Sequence, residues 1–161
     1  MAAPRLPSAR LLVIVAIACL AAVAAALVSQ HMFDMQPCPW CVLQRLIFVA
    51  IALVCLVGAA IPALAARVGA GALAGLLALC GIAAALWQHF KAAASASCNL
   101  TLADKIISAL QLDSLLPDVF APRASCADAA VSLFGIPYDF WSLALFALCA
   151  VAAVRVLRAR N

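Results

Sequence analysis

Gln36-Pro37-Cys38-Pro39-Trp40-Cys41-Val42-Leu43-Gln44-Arg45 leads into an apolar run that continues to about residue 61, with Arg45 as its only charge. A stretch of about 20 apolar residues is what an α-helix needs to cross a bilayer. The two thiols of Cys38 and Cys41 therefore stand at the entrance of a candidate membrane span. Two intervening residues let a disulfide close within one turn and reopen. So small a ring removes little chain entropy and makes a poor staple. The segment before it is short and offers little to hold together, so the spacing reads as redox chemistry.

The neighbouring residues point the same way. Proline suits the first position of a helix, where its missing N–H is not needed. Pro39 thus starts the helix and places Cys41 in its first turn. A helix N-terminus favours negative charge, which stabilises a thiolate. Arg45 is four residues on, one turn deeper on the same face. Its guanidinium supports the thiolate and can donate to an acceptor oxygen of a bound ligand. A charge just inside a membrane is costly and reads as functional. The alternative is that Arg45 snorkels to the headgroups.

Outward from this stretch, three more apolar runs are long enough to span. The four together lie at about residues 11–29, 41–61, 69–88 and 138–156 of a single membrane domain, 1–161. The composition requires lipid: 70% of residues are hydrophobic and 10% charged, with mean hydropathy +1.21. A soluble domain of this size cannot bury that much apolar surface. The first run has a rival reading as a signal peptide, because Arg5 and Arg10 precede it and Ala24-Ala25-Ala26 follows its centre. Its length favours a retained helix, since a signal core is usually about 7–15 residues. The expected fold class is an all-α membrane protein, a four-transmembrane-helix bundle.

Six of the ten Lys and Arg residues are Arg5, Arg10, Arg67, Arg155, Arg158 and Arg160, which flank the N-terminus, the second connection and the C-terminus. Four spans put those places on one side, and the positive-inside rule makes it the cytoplasm. The opposite side then holds two loops, at about 30–40 and 89–137, with all six acids on or near it. Within the longer loop, Leu102, Ile106, Ile107, Leu110, Leu115 and Leu116 alternate with polar residues at helical spacing. This predicts an amphipathic helix ended by Pro117 and Pro122, lying on the membrane or packed on the spans. The net charge of +4 carries no basic stripe, so nucleic acid is not an expected partner.

The eight cysteines divide by location. Cys19, Cys55, Cys80 and Cys149 fall inside spans and read as small apolar packing residues. Cys38, Cys41, Cys98 and Cys126 face the outer side, where cysteines pair. A Cys98–Cys126 bridge closes a long loop and would stabilise it by about 3–4 kcal/mol. Beside a redox-active Cys-x-x-Cys it could instead be the second station of a relay by thiol–disulfide exchange. Two other classes compete: a scaffold with two structural disulfides, and a metal site using these cysteines with His31 and His89. The spacing lacks the second tight pair usual in a zinc site, and no metal is expected. Val42 in place of His after Cys41 excludes a c-type haem motif.

The decapeptide from Gln36 to Arg45 resembles the signature of DsbB, the bacterial disulfide bond formation family. The resemblance continues through Cys98, Leu115-Leu116-Pro117, Val119-Phe120, Ser125-Cys126, Phe134-Gly135-Ile136-Pro137 and Trp141. It implies a monomeric four-helix enzyme of the bacterial inner membrane, with both loops in the periplasm. It implies two redox-active disulfides, Cys38–Cys41 and Cys98–Cys126. Cys98 would form the mixed disulfide with a periplasmic DsbA-like thioredoxin-fold oxidant, with Cys126 as its mate. Cys38 would be the exchanging thiol. Cys41 and Arg45 would meet a membrane quinone, ubiquinone ahead of menaquinone. The chain departs from the family at one point: many relatives carry a histidine about a turn before Gln88, where this sequence has Ala84, and His89 follows the Gln.

Overall fold

The computed structural model describes residues 8–92, 101–129, 131–133 and 135–159. Cys98 lies outside the described residues, as do Arg5, Arg160 and Phe134 of the sequence argument. Four long helices dominate: α1 (Ser8–Phe33), α2 (Pro39–Ala60), α3 (Leu64–Trp87) and α7 (Tyr138–Arg158). Each is long and apolar enough to cross a membrane, α3 together with a π-helical turn over Gln88–Ala92. Leu20, Leu53, Val57, Leu76, Leu79 and Leu148 are exposed on the outside of the bundle. That surface is compatible with lipid and too apolar for water.

α1 extends past the expected 11–29 at both ends and stops where Asp34 adopts φ +53. α2 starts at Pro39, and Cys38 is its N-cap, with Sγ accepting from the Cys41 N–H at 3.3 Å. α3 follows Pro62 after a very short connection, which makes α2 and α3 antiparallel neighbours. Small residues let the helices approach. A Cβ on Gly71 would stand 2.8 Å from Val156 Cγ1, and one on Gly81 would enter the Phe146 ring. Phe146 is fully buried and stacks on Phe48 with ring centroids 4.0 Å apart. Without a hydrophobic drive between helices in lipid, such close contact is what holds them together.

The long loop folds back on the bundle. α4 (Leu102–Ala109) opens with a capping box in which Thr101 and Asp104 satisfy each other's backbone groups. The single helix expected up to Pro117 is not formed. Gln111 turns left-handed at φ +54, and two one-turn helices follow, α5 (Leu112–Leu115) and α6 (Pro117–Phe120). Pro117 begins α6 rather than ending a helix, because the first turn has no use for its missing N–H. Ile107 and Phe120 are buried with Val42 of α2, while Leu102, Leu110, Leu115 and Leu116 stay exposed. The segment therefore packs on α2 with one face and presents apolar residues on the other. A two-residue hairpin, β1 (Ser132–Leu133) and β2 (Ile136–Pro137), turns at Gly135 with φ +78 and delivers the chain to α7.

Both loops meet at the same end of the bundle. The backbone N–H groups of Arg123 and Ala124 donate to the Pro37 carbonyl at 2.9 and 3.2 Å. These bonds dock the segment carrying Cys126 against the segment carrying Cys38.

Candidate functional site: a dithiol at the mouth of an apolar cavity

Cys38 and Cys41 face each other across the first turn of α2, with Sγ atoms 2.8 Å apart. Cys38 is fully buried and Cys41 partly so. Cys126, in the second loop, is also buried, in the same core cluster as Cys38 and close enough for the two thiols to influence each other. Three of the four outer-side cysteines thus form one cluster. The Cys126 hydrogen bond, then the Cys41 hydrogen bond and burial, hold Cys38 protonated well above the usual thiol range. The hydrogen bond with Cys38, opposed by burial and aided by the Trp40 N–H, draws Cys126 below that range.

Arg45 is 6% exposed and does not snorkel. Nη1 donates to Gln30 Oε1 at 2.7 Å and to the Val119 carbonyl at 3.1 Å, and Nη2 to the Ala26 carbonyl at 3.4 Å. Gln30 in turn donates to the Asp118 carbonyl at 3.2 Å. A helix-start dithiol and a cation one turn below it are therefore gripped from α1 and from α6. A chain of amides supports Cys41 on its other side: Gln44 Nε2 donates to Gln88 Oε1 at 2.8 Å, and Gln88 Nε2 donates to Cys41 Sγ at 3.4 Å.

Sequence reasoning singled out neither Gln30, Gln44 nor Gln88 for this role. The signal was present, since a buried amide in an apolar span needs a partner. What the sequence could not show is which partner each one finds.

Cys41, Arg45, Gln44 and Gln88 line one end of a cavity of about 690 Å³ between α1, α2 and α7. Its walls include Ala22, Val23, Phe48 and Leu145, and its lining also includes Tyr138 and Asp139. Concave apolar space with a few convergent polar groups is the usual form of a small-molecule site.

The remaining expected residues fall elsewhere. His31 is exposed, and its Nδ1 lies 2.8 Å from the Leu27 carbonyl. His89 Nδ1 lies 2.8 Å from Asp139 Oδ2, joining the π-turn to α7. Among the described residues no group of three or more His, Cys, Asp or Glu is placed to hold a metal ion. Of the span cysteines, Cys19 and Cys149 come together across α1 and α7, with Sγ atoms 3.7 Å apart in the core, a contact that 130 residues of separation hide from sequence.

Four apolar helices with a docked second loop and a vicinal dithiol at the cavity mouth define a membrane thiol redox protein. Comparison with known proteins narrows this class. A family model described as "Disulfide bond formation protein DsbB" matches residues 8–156. "Disulfide bond formation protein B" of Herminiimonas arsenicoxydans is 37% identical over 138 residues, covering 85% of this chain and 87% of the relative. The protein of the same description from Burkholderia pseudomallei strain 1106a is 35% identical over 154 residues, covering 94% and 91%. "Disulfide bond formation protein B 1" of Pseudomonas syringae pv. syringae is 36% identical over 145 residues, covering 88% and 85%. The chain belongs to the DsbB family. It is accordingly a four-helix membrane oxidoreductase of disulfide bond formation.

Proposed function

We propose that this protein reoxidises a periplasmic DsbA-like thioredoxin-fold dithiol and passes the electrons to a membrane quinone, working as a monomer in the bacterial inner membrane with both loops in the periplasm. The observation that carries this reading is the single buried cluster that gathers Cys38, Cys41 and Cys126, with Cys38 and Cys41 Sγ 2.8 Å apart and Cys41 lining the cavity.

The partner's dithiol is oxidised by the Cys98–Cys126 disulfide through a mixed disulfide at Cys98, which leaves Cys98 and Cys126 as thiols. The Cys126 thiolate then attacks Cys38 Sγ of the Cys38–Cys41 disulfide. A Cys38–Cys126 bond forms, the Cys38–Cys41 bond breaks, and Cys41 Sγ leaves as a thiolate. The N-terminus of α2 and Arg45 favour negative charge there, which makes Cys41 a good leaving group. Attack by Cys98 on Cys126 restores the loop disulfide and leaves Cys38 and Cys41 as a dithiol, so the two electrons now reside next to the cavity.

The cavity suits a quinone headgroup. Its volume is in the range of about 300–1,000 Å³ common for ligand pockets. Its walls are mostly apolar, and a guanidinium and two amides stand beside Cys41. A quinone would supply an acceptor for two electrons and two protons. Arg45 would orient and polarise a carbonyl oxygen, Gln88 would hold Cys41, and the apolar part of the lining would limit access of water.

The test mixes purified protein with a soluble quinone and a reduced thioredoxin-fold oxidant and follows quinone absorbance. Turnover should be present in the wild type and absent in Cys41→Ser. Normal turnover by Cys41→Ser would exclude the scheme. Redox titration separates a scaffold: structural bridges resist a glutathione buffer, with potentials below about −300 mV, while exchanging ones are more oxidising.

A further inference from the structure

Reduction at this cavity needs protons as well as electrons, and the thiol end holds Cys41, Arg45 and two amides, none of which is an acid suited to repeated donation. We propose that Asp139 and His89 form the proton path into the cavity, Asp139 as the group that faces the bound acceptor and His89 as its link to the outer solution. This rests on the quinone reading above.

Asp139 lies in the first turn of α7 and lines the same cavity as Cys41 and Arg45. Its side chain is 11% exposed, and its Oδ2 is 2.8 Å from Nδ1 of His89, whose side chain is 33% exposed. The pair therefore runs from solvent to cavity wall in one hydrogen bond.

The π-turn makes this possible. Gln88, first in the turn, is buried and bonds Cys41, while the next residue, His89, reaches α7. Wider turns of this kind re-aim side chains and recur at functional sites. The His89 ring is also fixed by edge contacts with Phe90 and Phe140, at centroid distances of 4.9 and 4.7 Å. An imidazole with one nitrogen bonded to a carboxylate is a common proton carrier.

Other charged or titratable groups face this region. Lys91 shares the turn with His89, and Tyr138 precedes Asp139. Arg45, Cys41, Asp34, Arg123 and Asp128 line the cavity. Asp34 and Asp128 are exposed and bonded to Gln36 and Ser125, so neither offers a sheltered route.

The balance per cycle is simple. The Cys38–Cys41 dithiol loses two electrons and two protons as its S–S bond forms, and the acceptor gains two electrons. The acceptor's oxygens need two protons. Asp139 gives up a proton to an oxygen and recovers one from His89, which takes its own from the outer solution. The thiol protons leave to the same solution.

The experiment compares the full-length wild type with Asp139→Asn and His89→Ala in two assays. With a soluble quinone and excess reduced thiol partner, kcat should fall about a hundredfold or more in both variants with little change in the quinone KM. The residual rate should rise as pH falls, and added imidazole should partly restore His89→Ala. Without quinone, exchange of the Cys38–Cys41 pair with a thiol buffer should match the wild type.

Wild-type kcat in both variants would overturn the proposal. An equal loss of the quinone-free exchange would reduce the pair to a staple between α3 and α7 and overturn it too. A wild type that oxidises its dithiols without consuming quinone would instead overturn the underlying reading.

Discussion

Arg45 Nη1 donates a 2.7 Å hydrogen bond to Gln30 Oε1, so a cation on α2 is held in place by an amide on α1. Both side chains are buried, at 6% and 2% exposure. Gln30→Ala leaves that N–H without its partner at a buried position. Hydrogen bonds to charged groups are worth about 1.5–3 kcal/mol. Thermal unfolding in detergent should show a loss of this order, with a raised quinone KM.

Arg45→Gln removes the charge while keeping a donor. Quinone use should weaken at least tenfold while the helical signal in circular dichroism is retained. Exchange between the second-loop pair and a thioredoxin-fold partner should persist, because the guanidinium lies on the cavity side of the cluster. Loss of both reactions together would mean that Arg45 is a folding residue.

Gly81 and Phe146 set the distance between α3 and α7. Gly81→Ala pushes a methyl group into the Phe146 ring, which is itself stacked on Phe48. Overpacking of this kind costs about 1–3 kcal/mol. Phe146→Ala empties the same space and should cost about 3–5 kcal/mol. Each should lower the melting temperature, and the double variant should recover part of the Gly81→Ala loss.

The thiols outside the spans should titrate apart. The thiolate is the reactive form. Cys38 is held protonated by its hydrogen bonds to Cys126 and Cys41 and by burial, so its thiolate appears only at high pH. Cys126 is drawn the other way by its bond with Cys38, so its thiolate persists to lower pH. In the fully reduced protein, iodoacetamide labelling read by mass spectrometry should slow at Cys38 at a higher pH than at Cys126. Cys38→Ala removes the donor and should move the Cys126 profile toward higher pH.

Much of the architecture was legible because lipid imposes a one-dimensional rule: a span must be apolar for about 20 residues, whatever its neighbours are. Four spans, the start of α2 at Pro39 and the start of α7 at Tyr138 follow from that rule and from proline's missing N–H. The pairing of Cys41 with a cation one turn deeper was legible too, because helical spacing is local. The second loop was less so. Its apolar spacing pointed to one helix, but the left-handed turn at Gln111 depends on how Ile107 and Phe120 seat on Val42.

The sequence by itself determined what can be decided within one helix: which segments are long and apolar enough to cross, where α2 and α7 begin, and which thiols share a turn. The tertiary structure alone decided which groups meet across helices: Cys38 with Cys126, Arg45 with Gln30, Gln88 with Cys41, and His89 with Asp139. The physical reason is the same in each case. A buried polar side chain must find a partner, and its partner is chosen by how the helices pack, 15 to 88 positions away in the chain.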